Sequence, residues 1–202
     1  AKTLSRSSVL QAHAVLRKSL RDAVKEGLLL SSPMDRVVNT PKVERKEMAT
    51  LSQREVAALL SAKDTWSPLW TLLIGTGVRI GEALGFQWED VDFDSDTLTI
   101  KRTLQRVPGE GLVYQMPKTN KSRRTLYMPK LVSDALRNHR AKQSTHRLML
   151  GPDWKNNGLV FPNEWGDPLE PTRINRALKT TLSAVGVDKH IRVHDLRHTA
   201  AS

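Results

Sequence analysis

The chain has 202 residues, 39% hydrophobic and 26% charged, with no cysteine and a formal net charge of +11. This suits one domain, or one domain plus part of another, and it excludes a disordered chain, a disulfide framework and a thiolate metal site. No apolar run reaches the roughly eighteen residues of a membrane span, and neither a signal peptide nor a lipidation motif is visible, so a soluble cytoplasmic protein is expected.

In chain order, residues 4–30 are predicted to form a helix or two, because Val9, Ala12, Leu16, Leu20 and Val24 form an apolar stripe at steps of three or four and Gly27 suits a helix end. Pro33, Pro41 and a polar, charged run follow, which places a linker and domain boundary at about 39–49. In "LSQREVAALLSA", Ser52 and Glu55 have capping-box spacing ahead of Val56, Leu59 and Leu60. Residues 68–88 read as helix on both sides of a glycine-marked break. From 97 to 128 short alternating runs, separated by "PGE" and "KTNKS", predict an antiparallel sheet of two or three strands. Helices return at 130–149 and 171–185 across a loop rich in Gly, Pro and Asn. The expected class is mainly α with a small antiparallel sheet, α+β.

The positive charge is uneven. Residues 101–150 carry 12 bases and 2 acids, a local excess of +10, whereas 51–100 carry 3 and 8. A concentrated basic block suits a polyanion, with nucleic acid the first candidate and a merely solvated surface the plain alternative.

Three stretches can carry chemistry. In "GTGVRIGEAL", residues 75–84, the glycines permit a tight break and Arg79 falls in the first turn of the next helix, where backbone N–H groups favour an anion. Glu82, one turn on, can hold or orient it, although a surface Arg–Glu pair has the same spacing. In "MPKTNKSRRTL", residues 116–126, Lys118, Lys121, Arg123 and Arg124 crowd a turn between strands. There they can contact phosphates, or one lysine can donate a proton. In "VHDLRHTAAS", residues 193–202, His194 and Arg197 share a helical face while Val193 and Leu196 turn toward the core. His194 and His198 also have an i, i+4 spacing that invites a metal, but neither a neighbouring Glu nor a third ligand accompanies them. His13, His139, His146 and His190 are assigned no role.

Taken together, "TGVRIGEAL", "KTNKSRR" and "HDLRHTAAS" resemble, in order, the motifs of the tyrosine recombinases, in particular phage integrases. "ATLSQREVAALLSA" is similar to the helix opening that family's catalytic domain, and "FQWEDVDFDSDTLTI" to its passage into the β-sheet. Residues 1–40 look like the end of a helical core-binding domain, 41–49 a linker, and 50–202 the catalytic domain, incomplete at its C-terminus.

The resemblance implies DNA strand exchange without ATP, metal or other cofactor. A tyrosine attacks the phosphodiester, leaving a 3′-phosphotyrosyl bond and a free 5′-hydroxyl. Arg79 and Arg197 match the family's two arginines, which stabilise the non-bridging oxygens. Lys118 aligns with the hairpin lysine, the acid for the leaving 5′-oxygen, with Lys121 its near neighbour. His194 matches the histidine that transfers a proton or hydrogen-bonds the phosphate; Glu82 and His198 support. Lys121, Arg123 and Arg124 would contact DNA. The implied partners are double-stranded DNA, three further copies in a homo-tetramer and accessory DNA-bending proteins, in a bacterial, phage or prophage setting.

The family's later histidine or tryptophan, and its nucleophilic tyrosine, would fall beyond Ser202. Tyr114 and Tyr127 match neither position. The expectation is a fragment that holds the phosphate but cannot cleave DNA by itself. A non-catalytic DNA-binding protein built on the same fold is the alternative, and a basic protein with another partner a third.

Overall fold

The structure, a computed structural model, describes residues 4–37, 49–116 and 123–200. The chain divides into two compact units, Ala1–Glu47 and Met48–Ser202. Residues 38–48, which hold most of the expected linker, and 117–122, which hold Lys118 and Lys121, lie outside the described residues.

In the first unit, α1 (Arg6–Lys25) starts at Ser5, whose Oγ accepts the Ser8 N–H at 3.1 Å. It ends in a Schellman turn. Gly27, at φ 75°, donates to Val24 O and Leu28 donates to Ala23 O, which satisfies two carbonyls the helix leaves open. The apolar stripe forms but is not buried: no residue of α1 is buried, and Leu16 is exposed. Among the described residues of this unit, the other helical element is a 3-10 turn at Pro33–Arg36, too small to cover a helix of that length.

The second unit is built around α3 (Ser67–Thr76), in which Leu69, Trp70, Leu72 and Leu73 are almost fully buried. A helix apolar on every side belongs in a core. It packs against α2 (Gln53–Leu60), α4 (Ile80–Gly85), α5 (Lys130–Leu150) and α7 (Val193–Ala200). The predicted capping box opens α2: Glu55 Oε2 accepts the Ser52 N–H at 2.7 Å, and Ser52 Oγ accepts the Glu55 N–H. The core continues through α6 (Pro171–Ala184) by Ile174, Leu178 and Leu182, and into α7 by Val193 and Leu196.

The β region differs from the expectation of one sheet. β1 (Val91–Asp92), β2 (Thr97–Ile100) and β5 (Arg124–Tyr127) form an antiparallel sheet in the order β1-β2-β5, with Leu98 opposite Leu126 and Ile100 opposite Arg124. β3 (Thr103–Val107) and β4 (Gly111–Gln115) form a separate hairpin, closed by the predicted Pro-Gly-Glu turn. The break falls at Lys101 and Arg102. Arg102 donates to Asp90 Oδ2 at 2.7 Å and to Glu89 Oε1 at 3.0 Å, while Lys101 Nζ lies 2.9 Å from Asp90 Oδ1. Asp90 is buried, so these cations are held as its counter-charges and the chain turns out of the ladder. The α+β class stands, with the strands shared between two small sheets.

Candidate active site

The chemistry starts where α3 stops. Gly77 caps α3 at φ 63°, a left-handed conformation that a Cβ disfavours, and its N–H returns to Leu73 O at 3.0 Å. Val78 then plunges into the core, and Arg79 becomes the N-cap of α4 rather than a residue of its first turn.

Glu82, at the third position of α4, accepts the Arg79 backbone N–H on Oε2 at 2.9 Å and Arg79 Nη1 on Oε1 at 3.2 Å. Its carboxylate is 6% exposed, against 60% for the Arg79 side chain. A second cation reaches it from β5. Arg124 Nη1 donates to Oε1 at 3.1 Å and Nη2 to Oε2 at 3.0 Å, a parallel two-bond fork. Burial resists ionisation of Glu82, but the bonds from Arg124 and from Arg79 outweigh it and hold the carboxyl below its ordinary value.

The second contribution is α7. Asp195 sits three residues past Arg192 and accepts its N–H on Oδ2 at 2.9 Å, its Nε on Oδ2 at 3.0 Å and its Nη2 on Oδ1 at 2.9 Å. The Arg192 side chain is the main reason the Asp195 carboxyl lies below its usual value. Asn175 Oδ1, from α6, accepts the Val193 N–H at 3.1 Å. With both groups fixing the start of α7, and Val193 and Leu196 buried, the opposite side of the turn is set. His194 is exposed there, its ring edge-on to His198 with centroids 5.3 Å apart. Arg197 Nη1 donates to Gly77 O at 2.9 Å.

One carbonyl therefore brings Arg197 to within two residues of Arg79, and one carboxylate joins Arg79 to Arg124. Lys118 and Lys121 lie outside the described residues. Arg123 is exposed beside Arg124. Arg124, expected as a DNA contact, has both terminal nitrogens on Glu82. The pairing spans 42 residues and nothing local in the sequence announces it. Asp195 was also passed over, although Arg192-x-x-Asp195 repeats the spacing of Arg79-x-x-Glu82. Tyr114 lies on β4 and Tyr127 on β5, the latter well exposed. His139 is a packing residue: it stacks on Phe161 with centroids 5.0 Å apart, and burial lowers its pKa. Among the described residues, no group of three or more His, Cys, Asp or Glu side chains is placed to hold a metal ion, and no helix is long and apolar enough to cross a membrane.

A helical unit centred on a buried helix, with two small sheets and arginines brought together from α4, α7 and β5, defines an α+β fold with a cationic site. The phage integrase family matches residues 49–202, and the chain belongs to that family, the tyrosine recombinases. It is 31% identical over 199 residues to a tyrosine recombinase XerC-like protein of Caldanaerobacter subterraneus subsp. tengcongensis, covering 89% of this chain and 50% of that one. To a tyrosine recombinase XerD of Lacticaseibacillus casei it is 30% identical over 207 residues, covering 99% and 64%. The chain thus spans about half to two thirds of the length of these relatives. The fold is similar to that of the Tn1549 transposon integrase in complex with transposon right end DNA, with TM-score 0.78, 20% identity, and 97% of this chain and 65% of that one covered. It is also similar to lambda integrase (residues 75–356) bound to DNA, with TM-score 0.61, 16% identity and coverage of 97% and 64%.

Proposed function

We propose that this chain is the phosphate-holding core of a site-specific DNA recombinase, acting on double-stranded DNA in integration or excision. The observation that carries the reading is the bond from Arg197 to Gly77 O, which brings that side chain to the turn leading into Arg79. Two guanidinium groups fixed by protein partners suit the charge that develops on the non-bridging oxygens of a phosphodiester in transfer. Among the described residues, Arg79 keeps an exposed side chain with Nη1 bonded to Glu82, and Arg197 has Nη1 bonded to Gly77 O. Each leaves donors for a phosphate.

In this reading His194 hydrogen-bonds the phosphate or moves a proton, and Lys118 protonates the leaving 5′-oxygen. A tyrosine oxygen forms the new bond to phosphorus as the 5′-oxygen departs. Later a 5′-hydroxyl displaces that tyrosine, so the phosphodiester bond count is conserved and neither ATP nor a metal is consumed. Glu82 and His198 support the site, and Lys121 and Arg123 contact the DNA backbone. Residues 1–40 belong to the core-binding domain and 50–202 to the catalytic domain. The complete protein works as a homo-tetramer on DNA, assisted by DNA-bending proteins.

Neither Tyr114 nor Tyr127 takes the nucleophile's role, so these 202 residues bind duplex DNA without bonding to it. The test has two arms. Duplex affinity should fall steeply with salt, since each neutralised phosphate adds about 0.9 to the slope of log K against log salt. A flat response removes the DNA reading. A nicked suicide duplex should give no covalent adduct; an adduct lost on changing Tyr114 or Tyr127 to Phe would make that residue the nucleophile.

A further inference from the structure

We propose that Arg124 is a positioning residue of this site: through Glu82 it holds the Arg79 guanidinium where the phosphate will lie. The inference rests on the recombinase reading and gives Arg124 a different role from the DNA contact its place in a basic turn suggests.

The geometry is specific. Glu82 has two oxygens, and each accepts one bond from Arg79 and one from Arg124. The Arg79 backbone N–H anchors Oε2, and the parallel fork from Arg124 sets the plane of the carboxylate from the opposite partner, so that Oε1 faces Arg79 Nη1. Arg124 is itself placed by the ladder, opposite Ile100 on β2, and its side chain is only 30% exposed. Arg79 has no such frame. Its side chain is 60% exposed, and among the described residues its guanidinium bonds to Glu82. Whatever fixes Glu82 therefore fixes Arg79.

The charges point the same way. Arg79, from the start of α4, and Arg124, from β5, are the cations bonded to Glu82; β3 meets α4 at Gly81 with Leu104 O and the Thr103 methyl. Without Arg124 the buried carboxylate keeps the Arg79 backbone N–H and one largely solvated cation, and burial shifts it toward its protonated form. A protonated Glu82 has fewer acceptor sites for Arg79. Arg124 also begins the strand that follows the Lys118 segment, so the same contact ties that strand to the helix carrying Arg79.

A double-mutant cycle on the full chain tests this, read by affinity for a duplex oligonucleotide at fixed salt. Arg124→Gln should weaken binding by on the order of fivefold to tenfold, the worth of one charge-assisted contact. In an Arg79→Ala background the same change should do almost nothing, because its route is already gone. Equal losses in both backgrounds would make Arg124 an independent phosphate contact and overturn the proposal. A DNA-free readout runs beside it. In the 15N-arginine-labelled chain, the Arg79 Nε–Hε signal, assigned by its loss in Arg79→Lys, should broaden in Arg124→Gln; a signal unchanged from wild type overturns the proposal. Should Arg124→Gln fail to fold, Arg124→Lys, which keeps the charge without the fork, carries both measurements with the same expectations. Failure of the recombinase reading is distinguishable: wild-type chain would then show no salt-dependent duplex binding, while the NMR coupling would remain.

Discussion

Arg197 Nη1 donates to the carbonyl oxygen of Gly77 at 2.9 Å, joining α7 to the C-terminus of α3 across 120 residues of sequence. The acceptor lies at the negative end of the α3 dipole, so the cation is favoured by the helix as well as by the bond. Replacing Arg197 with Met should lower stability by about 1–3 kcal/mol, measured by urea unfolding. In a complete recombinase containing this core, the same change should reduce strand cleavage by on the order of 10²–10³. Arg197→Lys should restore most of the stability and little of the activity, since an ammonium cannot hold the carbonyl and a phosphate with one planar fork. Full activity in Arg197→Lys would count against the role assigned to this side chain.

Gly77 should tolerate a side chain poorly for conformational reasons alone. An added Cβ would meet Ala200 Cβ at 3.6 Å, an ordinary contact, so strain at φ 63° is what remains. Gly77→Ala should therefore cost about 1–2 kcal/mol in unfolding free energy, and Gly77→Asn less, because Asn adopts this conformation more readily. Equal losses for both would mean that crowding dominates.

Glu82 makes stability depend on pH with a definite sign. Its folded-state pKa is lowered, so its contribution is present above the unfolded pKa and is lost as pH falls through the folded value. The stability gap between wild type and Glu82→Gln should be widest near neutral pH and shrink below the usual carboxylate range. Unfolding curves at several pH values check this, and a gap that grows on acidification would reverse the assignment. Asp195, also lowered, predicts the same trend for Asp195→Asn.

His194 and Leu196 provide a contrast within one turn. Leu196 is fully buried, so Leu196→Ala should cost about 2–5 kcal/mol. His194 is exposed, so His194→Ala should shift stability by no more than about 0.5 kcal/mol while lowering strand cleavage by the complete protein. A large loss of stability in His194→Ala would make its role structural.

Much of this was legible in the chain. The box at Ser52 and Glu55, the glycine break before Arg79 and the inward turn of Val193 and Leu196 all follow from spacing, because they depend on neighbours within one helical turn. The longer patterns did less well. Strand alternation suggested one sheet, and the counter-charges that Lys101 and Arg102 supply to buried Asp90 split it into two. The stripe on α1 follows from spacing, but a stripe does not say what covers it.

Local chemistry alone determined the cap at Ser52, the helix stop at Gly27, that Arg79 would stand beside a glycine break, and that positive charge would concentrate in 101–150. Helix caps, periodicity and charge act over a few residues, so the order of residues is enough to specify them. Which arginine would serve which partner was decided only by the fold. Arg123 and Arg124 are adjacent and chemically identical, yet Arg123 stays exposed just before β5 while Arg124, the first residue in the ladder, reaches Glu82. That choice depends on the distance between β5 and α4, which packing sets and no local spacing encodes.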